Sequence, residues 1–69
     1  MVEVFKTTVR HESQGQMVLE ALASKLPGMQ MNFDLEDCDN ILRIEGLTID
    51  TRLVRKVLAR CGVKGEVLP

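Results

Sequence analysis

The sequence predicts an α+β fold in which one four-stranded antiparallel sheet carries two helices on a single face. Segments with a side-chain period of two alternate with segments of helical period, in the order strand, helix, strand, strand, helix, strand. The second strand is apolar on one side only, as expected when one face of the sheet is covered. With 69 residues the chain has the length of one small domain, and we expect residues 1–69 to form it.

The first strand is predicted over residues 2–9, which are rich in β-branched side chains. In an extended segment successive side chains point to opposite faces. The residues that share the inward face are Phe5, Thr7 and Val9.

A helix is predicted over about residues 14–26. Ser13 is a suitable N-cap, and Gln16 three residues later would complete a capping box. The helix is expected to end at Pro27, because proline cannot continue it. The helical period is carried by four apolar residues, Leu19, Leu22, Ala23 and Leu26.

The middle of the chain predicts a β-hairpin. Residues 29–36 alternate strictly in polarity, and residues 36–40 are rich in Asp and Asn, which favour turns. Leu42 and Ile44 then supply the returning strand. The residues predicted to face the core are Met29, Met31, Phe33 and Leu35. Those predicted to face solvent are Gln30, Asn32, Asp34 and Glu36.

A second helix is predicted to begin after Asp50, a favourable N-cap, with Ile49 placed to form a hydrophobic staple. Gly62 is expected to end the helix in a Schellman motif, and residues 63–68 form a short last strand. The apolar stripe of this helix consists of Val54, Val57, Leu58 and Cys61.

We expect the core to contain the inward members of every periodic segment. These residues are Phe5, Leu19, Leu22, Leu26, Met31, Phe33, Leu42, Ile44, Val54, Val57 and Leu58.

Three segments resemble a known family: the helix end at residues 21–29, the strand at 31–35, and the run from Asp50 to Val63. The chain resembles a heavy-metal-associated domain, the module of copper chaperones and of the N-terminal tails of metal-transporting ATPases. The resemblance covers nearly the whole chain, and the step from Leu-Pro-Gly into an alternating strand is its most specific part. It implies a ferredoxin-like βαββαβ two-layer sandwich.

The metal-binding loop of that family reads Met-x-Cys-x-x-Cys. Counting back from Pro27, the resemblance places Arg10 at the methionine, and Glu12 and Gly15 at the two cysteines. None of these three supplies a thiolate or thioether ligand. The resemblance therefore implies the fold without the standard metal site, and we expect no cofactor and no tight copper(I) binding.

A re-sited zinc or copper site is the less favoured alternative. In the predicted topology the first strand–helix loop, the hairpin and the end of the second helix share one end of the sheet. The candidate ligands at that end are His11, Glu12 and Cys61, with Cys38 in the hairpin. Each has a simpler interpretation, since Cys61 closes an apolar stripe and His11 lies in a loop.

The sequence argues against catalysis, nucleic-acid binding and membrane insertion. The single histidine has no residue at motif spacing with which to form a nucleophile–base pair. The net charge is −1, and the open sheet face is predicted to be polar instead of aromatic, unlike that of RNA-recognition domains. The N-terminal residues lack the apolar stretch of a signal peptide, so we expect a cytoplasmic protein with reduced thiols.

Basic residues cluster on and beside the predicted second helix. Five of the nine basic residues lie there: Arg52, Arg55, Lys56, Arg60 and Lys64. Five of the ten acidic residues fall between Asp34 and Glu45. The basic cluster is either a solvated face or a surface that docks an acidic partner protein, as the basic face of metallochaperones in the resembled family does. We therefore predict a non-catalytic interaction or accessory domain, with a metal-binding or metal-trafficking protein with non-CxxC ligands as the alternative.

Overall fold

Six elements follow one another in the predicted order. They are β1 (Val2–Thr7), α1 (Glu12–Lys25), β2 (Gln30–Asp34), β3 (Ile41–Glu45), α2 (Thr51–Arg60) and β4 (Gly65–Leu68). The computed structural model describes residues 1–36 and 38–69. The four strands form one sheet in the order β2-β3-β1-β4, and every pairing is antiparallel. The predicted α+β fold is confirmed, and it is consistent with a ferredoxin-like two-layer sandwich.

The strand register sets which side chains enter the core. Phe5 of β1 aligns with Leu42 of β3 and with Val67 of β4. Phe5 and Leu42 are fully buried. Lys6 and Arg43, whose side chains point to the other face of the sheet, are exposed. The helices therefore cover one face of the sheet, as the alternation of the strands predicted.

The buried core agrees with the predicted set except in a few places. Leu19, Met31 and Phe33 were predicted to be core residues, but they are half-buried at its margin. The buried apolar residues that the prediction missed are Val9, Val18 and Val63. The complete buried apolar set is Phe5, Val9, Val18, Leu22, Leu26, Leu42, Ile44, Val54, Val57, Leu58 and Val63.

The start of α1 differs from the predicted capping box. The helix begins at Glu12, and the N-cap is His11, whose side chain caps no N–H among the described residues. Ser13 lies inside the first turn. The side chain that bonds to the backbone near this helix end is that of Gln14, whose Oε1 accepts a hydrogen bond from the Arg10 N–H at 3.2 Å. The prediction placed the cap two residues too late, since any short polar residue before an apolar stripe resembles an N-cap.

The apolar stripe of α1 is also rotated relative to the prediction. Gly15, Val18 and Leu22 are its buried residues, whereas Ala23 is exposed. A glycine gives no hydrophobic signal in a sequence, but the small size of Gly15 allows the helix to approach the sheet closely.

Both predicted ends of α2 are confirmed. At the start, the Asp50 carboxylate accepts hydrogen bonds from the N–H groups of Arg52 at 3.1 Å and Leu53 at 3.2 Å. At the end, Gly62 has a φ of 75°, in the left-handed region that favours glycine.

The hydrogen bonds after α2 are those of a Schellman motif. The Gly62 N–H donates to the Ala59 carbonyl at 3.0 Å, and the Val63 N–H donates to the Leu58 carbonyl at 2.9 Å. They satisfy two of the carbonyl groups that every helix end leaves free.

The β2–β3 connection contains the predicted turn. The Glu36 N–H donates to Asp34 Oδ1 at 3.2 Å, and Asn40 has a φ of 49°, a conformation that Asn tolerates well. Asp37, part of the same predicted turn, lies outside the described residues. Within the described chain, neither helix is long and apolar enough to span a membrane.

Candidate functional site

Three loops meet at one end of the sheet, as the topology predicted. The Thr7 N–H donates to the Asp39 carbonyl at 3.2 Å, which joins the end of β1 to the hairpin. The Thr8 N–H donates to the Lys64 carbonyl at 3.1 Å, and the Lys64 N–H donates to Thr8 Oγ1 at 3.0 Å. These bonds fix the β1–α1 loop, the hairpin and the α2–β4 loop against one another.

This shared end of the sheet does not assemble a metal site from the described residues. No group of three or more His, Cys, Asp or Glu side chains within them could hold a metal ion. His11, Glu12 and Cys38 are exposed, whereas Cys61 is half-buried and packs against the core. Both cysteines are free thiols. The re-sited zinc or copper site therefore has no ligand cluster to support it in the described chain.

Gly15, which the resemblance places at the second cysteine of the metal loop, faces the core. Gly15 is buried, and a Cβ atom added to it would lie 3.3 Å from Phe33 Cδ2 and 3.6 Å from Val9 Cγ1. A side chain at this position would therefore enter the core and not a surface loop. The position that the resemblance gives to the second cysteine is therefore one where a side chain would pack against Phe33.

The predicted basic cluster borders a groove beside α2 and β4, with a volume of about 1120 Å³. Among the described residues, five basic side chains line it: Lys6, Arg52, Arg55, Lys56 and Lys64. Two acidic side chains, Asp50 and Glu66, also line it. The groove runs along the length of α2, from its N-cap to Ala59.

The lining combines charged side chains with apolar surface, and the apolar share is the larger. Leu53 and Val63 contribute apolar surface, and Gly65 contributes bare backbone. The five basic side chains are all exposed and can reorient towards a ligand. This combination suits a ligand that is both acidic and partly apolar.

Four of the five predicted docking residues line the groove, and Arg60, the last residue of α2, lies outside it. Lys6 was not predicted, because it comes from β1 and reaches the groove only through strand pairing. It aligns with Glu66 of β4 and lies 3.8 Å from Asp39. The alternation of β1 places Lys6 on the outer face, but the register with β4 is not visible in the sequence.

The positive groove and strand β2 of the acidic hairpin lie at opposite edges of the sheet. β4 forms the edge beside the groove, and β2 forms the other edge. Asp34, Glu36 and Glu45 are exposed on the β2–β3 side. Asp39 of the same hairpin lies 3.8 Å from Lys6 of the groove, so the charge separation predicted from the sequence holds for the β2 side of the hairpin and not for its turn.

No protein-family model matches the chain, and searches of curated proteins and of solved structures return no significant match.

Proposed function

We propose that this protein is a non-catalytic cytoplasmic interaction module that binds an acidic segment of a partner protein in the groove beside α2. The observation that carries this proposal is the charge of the groove, where five basic and two acidic described residues meet in a chain of net charge −1. A concave surface lined mainly by one sign of charge attracts ligands of the opposite sign and speeds their association.

The resemblance to heavy-metal-associated domains enters the same proposal. A basic face that meets acidic partner domains is a property of that family, and the fold here is compatible with it. The loop that carries thiolates in that family has none in this chain. We propose that the docking surface has remained in a member of this family that has lost the metal site.

The proposal is tested by reversing charge inside the groove. We expect a fluorescein-labelled polyglutamate peptide to bind the parent protein, with an affinity that falls as salt is raised. The triple variant Arg52→Glu, Arg55→Glu, Lys56→Glu should bind it at least about tenfold more weakly, because each reversal replaces attraction by repulsion. Fluorescence anisotropy over a salt series measures both effects.

The matched control reverses three basic residues elsewhere. Arg10→Glu, Lys25→Glu, Arg43→Glu changes the net charge by the same amount at three exposed positions outside the groove. It should retain most of the binding. Equal losses in the two triple variants, or a parent protein that does not bind the peptide, would contradict the proposal.

A further inference from the structure

β4 leaves one side of its backbone unpaired beside the groove. Among the described residues, β4 pairs with β1 alone and forms an edge of the sheet. The hydrogen bonds between Lys64 and Thr8 show that the Lys64 backbone faces β1. In an antiparallel ladder this orientation alternates, so Glu66 also faces β1, whereas Gly65 and Val67 direct their N–H and C=O groups outwards.

The unpaired groups of β4 lie directly beside the basic groove. Gly65 and Glu66 belong to the lining, together with basic residues of α2. A free strand edge is a ready template for another extended segment. The other edge, β2, is flanked by the acidic residues Asp34 and Glu36, which would repel an acidic segment.

We infer that the partner's acidic segment binds as an extended strand along β4 and pairs with the outward backbone groups of Gly65 and Val67. This inference rests on the proposed function and specifies its ligand. Alternate side chains of the added strand would point towards α2, where Arg52 and Lys56 lie. The segment therefore needs an acidic residue at every second position.

The lining favours a peptide over nucleic acid. Binding of single-stranded nucleic acid relies on aromatic side chains that stack with the bases. Among the described residues, the lining contains no aromatic side chain, and the two aromatic residues of the chain, Phe5 and Phe33, belong to the core or its margin.

The first test uses two capped peptides of about seven residues in which Glu and Thr alternate. One is unmodified, and the other carries N-methyl groups on the amides of one edge, which removes donors for strand pairing and keeps the charge. We expect the N-methylated peptide to bind at least about tenfold more weakly in anisotropy measurements.

The second test changes the protein at Val67. Val67→Pro removes an outward N–H and no ladder bond, because proline is tolerated at sheet edges. Val67→Ala shortens the same side chain and keeps the N–H. We expect the proline variant to bind the unmodified peptide at least about tenfold more weakly and the alanine variant to bind nearly as the parent does. Circular dichroism checks that both are folded.

Amide hydrogen exchange in the parent protein gives a measurement that does not depend on a variant. Adding the unmodified peptide should slow exchange at Gly65 and Val67, whose N–H groups would become paired. Unchanged exchange at these two amides at saturating peptide would overturn the inference even if Val67→Pro fails to fold.

Failure of the inference can be told apart from failure of the proposed function. If both peptides bind equally and Val67→Pro is harmless, docking uses side chains alone, and strand addition is wrong while the proposed function stands. If neither peptide binds, and polyglutamate does not bind either, the proposed function fails. An oligothymidine strand that binds more tightly than the peptide would overturn the inference in favour of nucleic acid.

Discussion

At the residue scale, Gly15 determines which positions at the start of α1 can carry a ligand. It is buried, and a Cβ atom added to it would lie 3.3 Å from Phe33 Cδ2, so a side chain there points away from solvent. One pair of positions at the same spacing that reaches the surface is His11, which is exposed, and Gln14, which is half-buried. Residues three apart on a helix are neighbours on its surface.

We expect the double variant His11→Cys, Gln14→Cys to acquire copper(I) binding, and we expect the parent not to bind it tightly. Two thiols at a helix N-terminus are favoured as thiolates, and thiolates are the ligands that copper(I) prefers. In the parent, Cys38 and Cys61 belong to no group of three or more metal ligands among the described residues. Transfer of copper(I) from a coloured chelator measures the gain.

The matched control is the pair that the sequence count suggested, Glu12→Cys, Gly15→Cys. The second cysteine would have to shift the Phe33 ring by a few tenths of an ångström, which should lower the free energy of unfolding by about 1–3 kcal/mol. Urea denaturation measures that loss, and we expect no copper(I) uptake. Tight copper(I) binding by this pair would show that position 15 of α1 faces the surface loop and not the core.

At the element scale, the two helices differ in how their first N–H groups are satisfied. The Asp50 carboxylate accepts hydrogen bonds from two N–H groups at the start of α2. The N-cap of α1 is His11, whose side chain accepts none from the described residues. The start of α2 is therefore fixed by one side chain, and that of α1 is not.

Asp50→Ala should lower the free energy of unfolding by about 1 kcal/mol, the usual loss when a capping side chain is removed. Ser13→Ala should leave it unchanged or raise it by a few tenths of a kcal/mol, because Ser13 lies inside α1 and Ala favours a helix. Urea denaturation of both variants measures the contrast. A loss at Ser13 as large as that at Asp50 would restore the predicted capping box.

At the scale of the whole molecule, the two aromatic residues contribute unequally to the core. Phe5 lies on the inner strand β1 and is fully buried, whereas Phe33 lies on the edge strand β2 and is half-buried. Truncating a fully buried Phe removes more apolar contact and leaves a larger cavity.

Phe5→Ala should therefore lower the free energy of unfolding by about 3–5 kcal/mol, enough to unfold much of so small a protein. Phe33→Ala should cost less, on the order of 2 kcal/mol, because part of its surface already faces water. Thermal melts followed by circular dichroism rank the two variants. The reverse order would place β2, and not β1, at the centre of the core.

Element order and strand faces were predictable because they depend on local periodicity. β2 and α2 show this well, since the half-buried Met31 and Phe33 alternate with exposed residues, and Asp50 and Gly62 bound the helix as expected. Which residues of α1 face the core was not predictable, because this depends on the contact of a glycine with a distant strand. Gly15 carries no hydrophobic signal in a sequence.

The candidate site was predictable only as far as it lies on one helix. Arg52, Arg55 and Lys56 are neighbours in the chain, so their shared surface followed from helical spacing. Lys6 joins them through the pairing of β1 with β4, which brings together residues 60 positions apart, as Lys6 and Glu66 show. A charge pattern along one helix carries no information about such pairing.

The central place of β1 also has a consequence for synthesis of the chain. β1 is made first, but its neighbours are β3 and β4, and β4 comes last. At translation rates of roughly 5–20 residues per second, one edge of β1 stays unpaired on the ribosome for several seconds. During that time Phe5 lacks its neighbour Val67. The sheet that β1 begins is therefore closed only once β4 has been made, and until then β1 presents an open strand edge to chaperones or to other nascent chains.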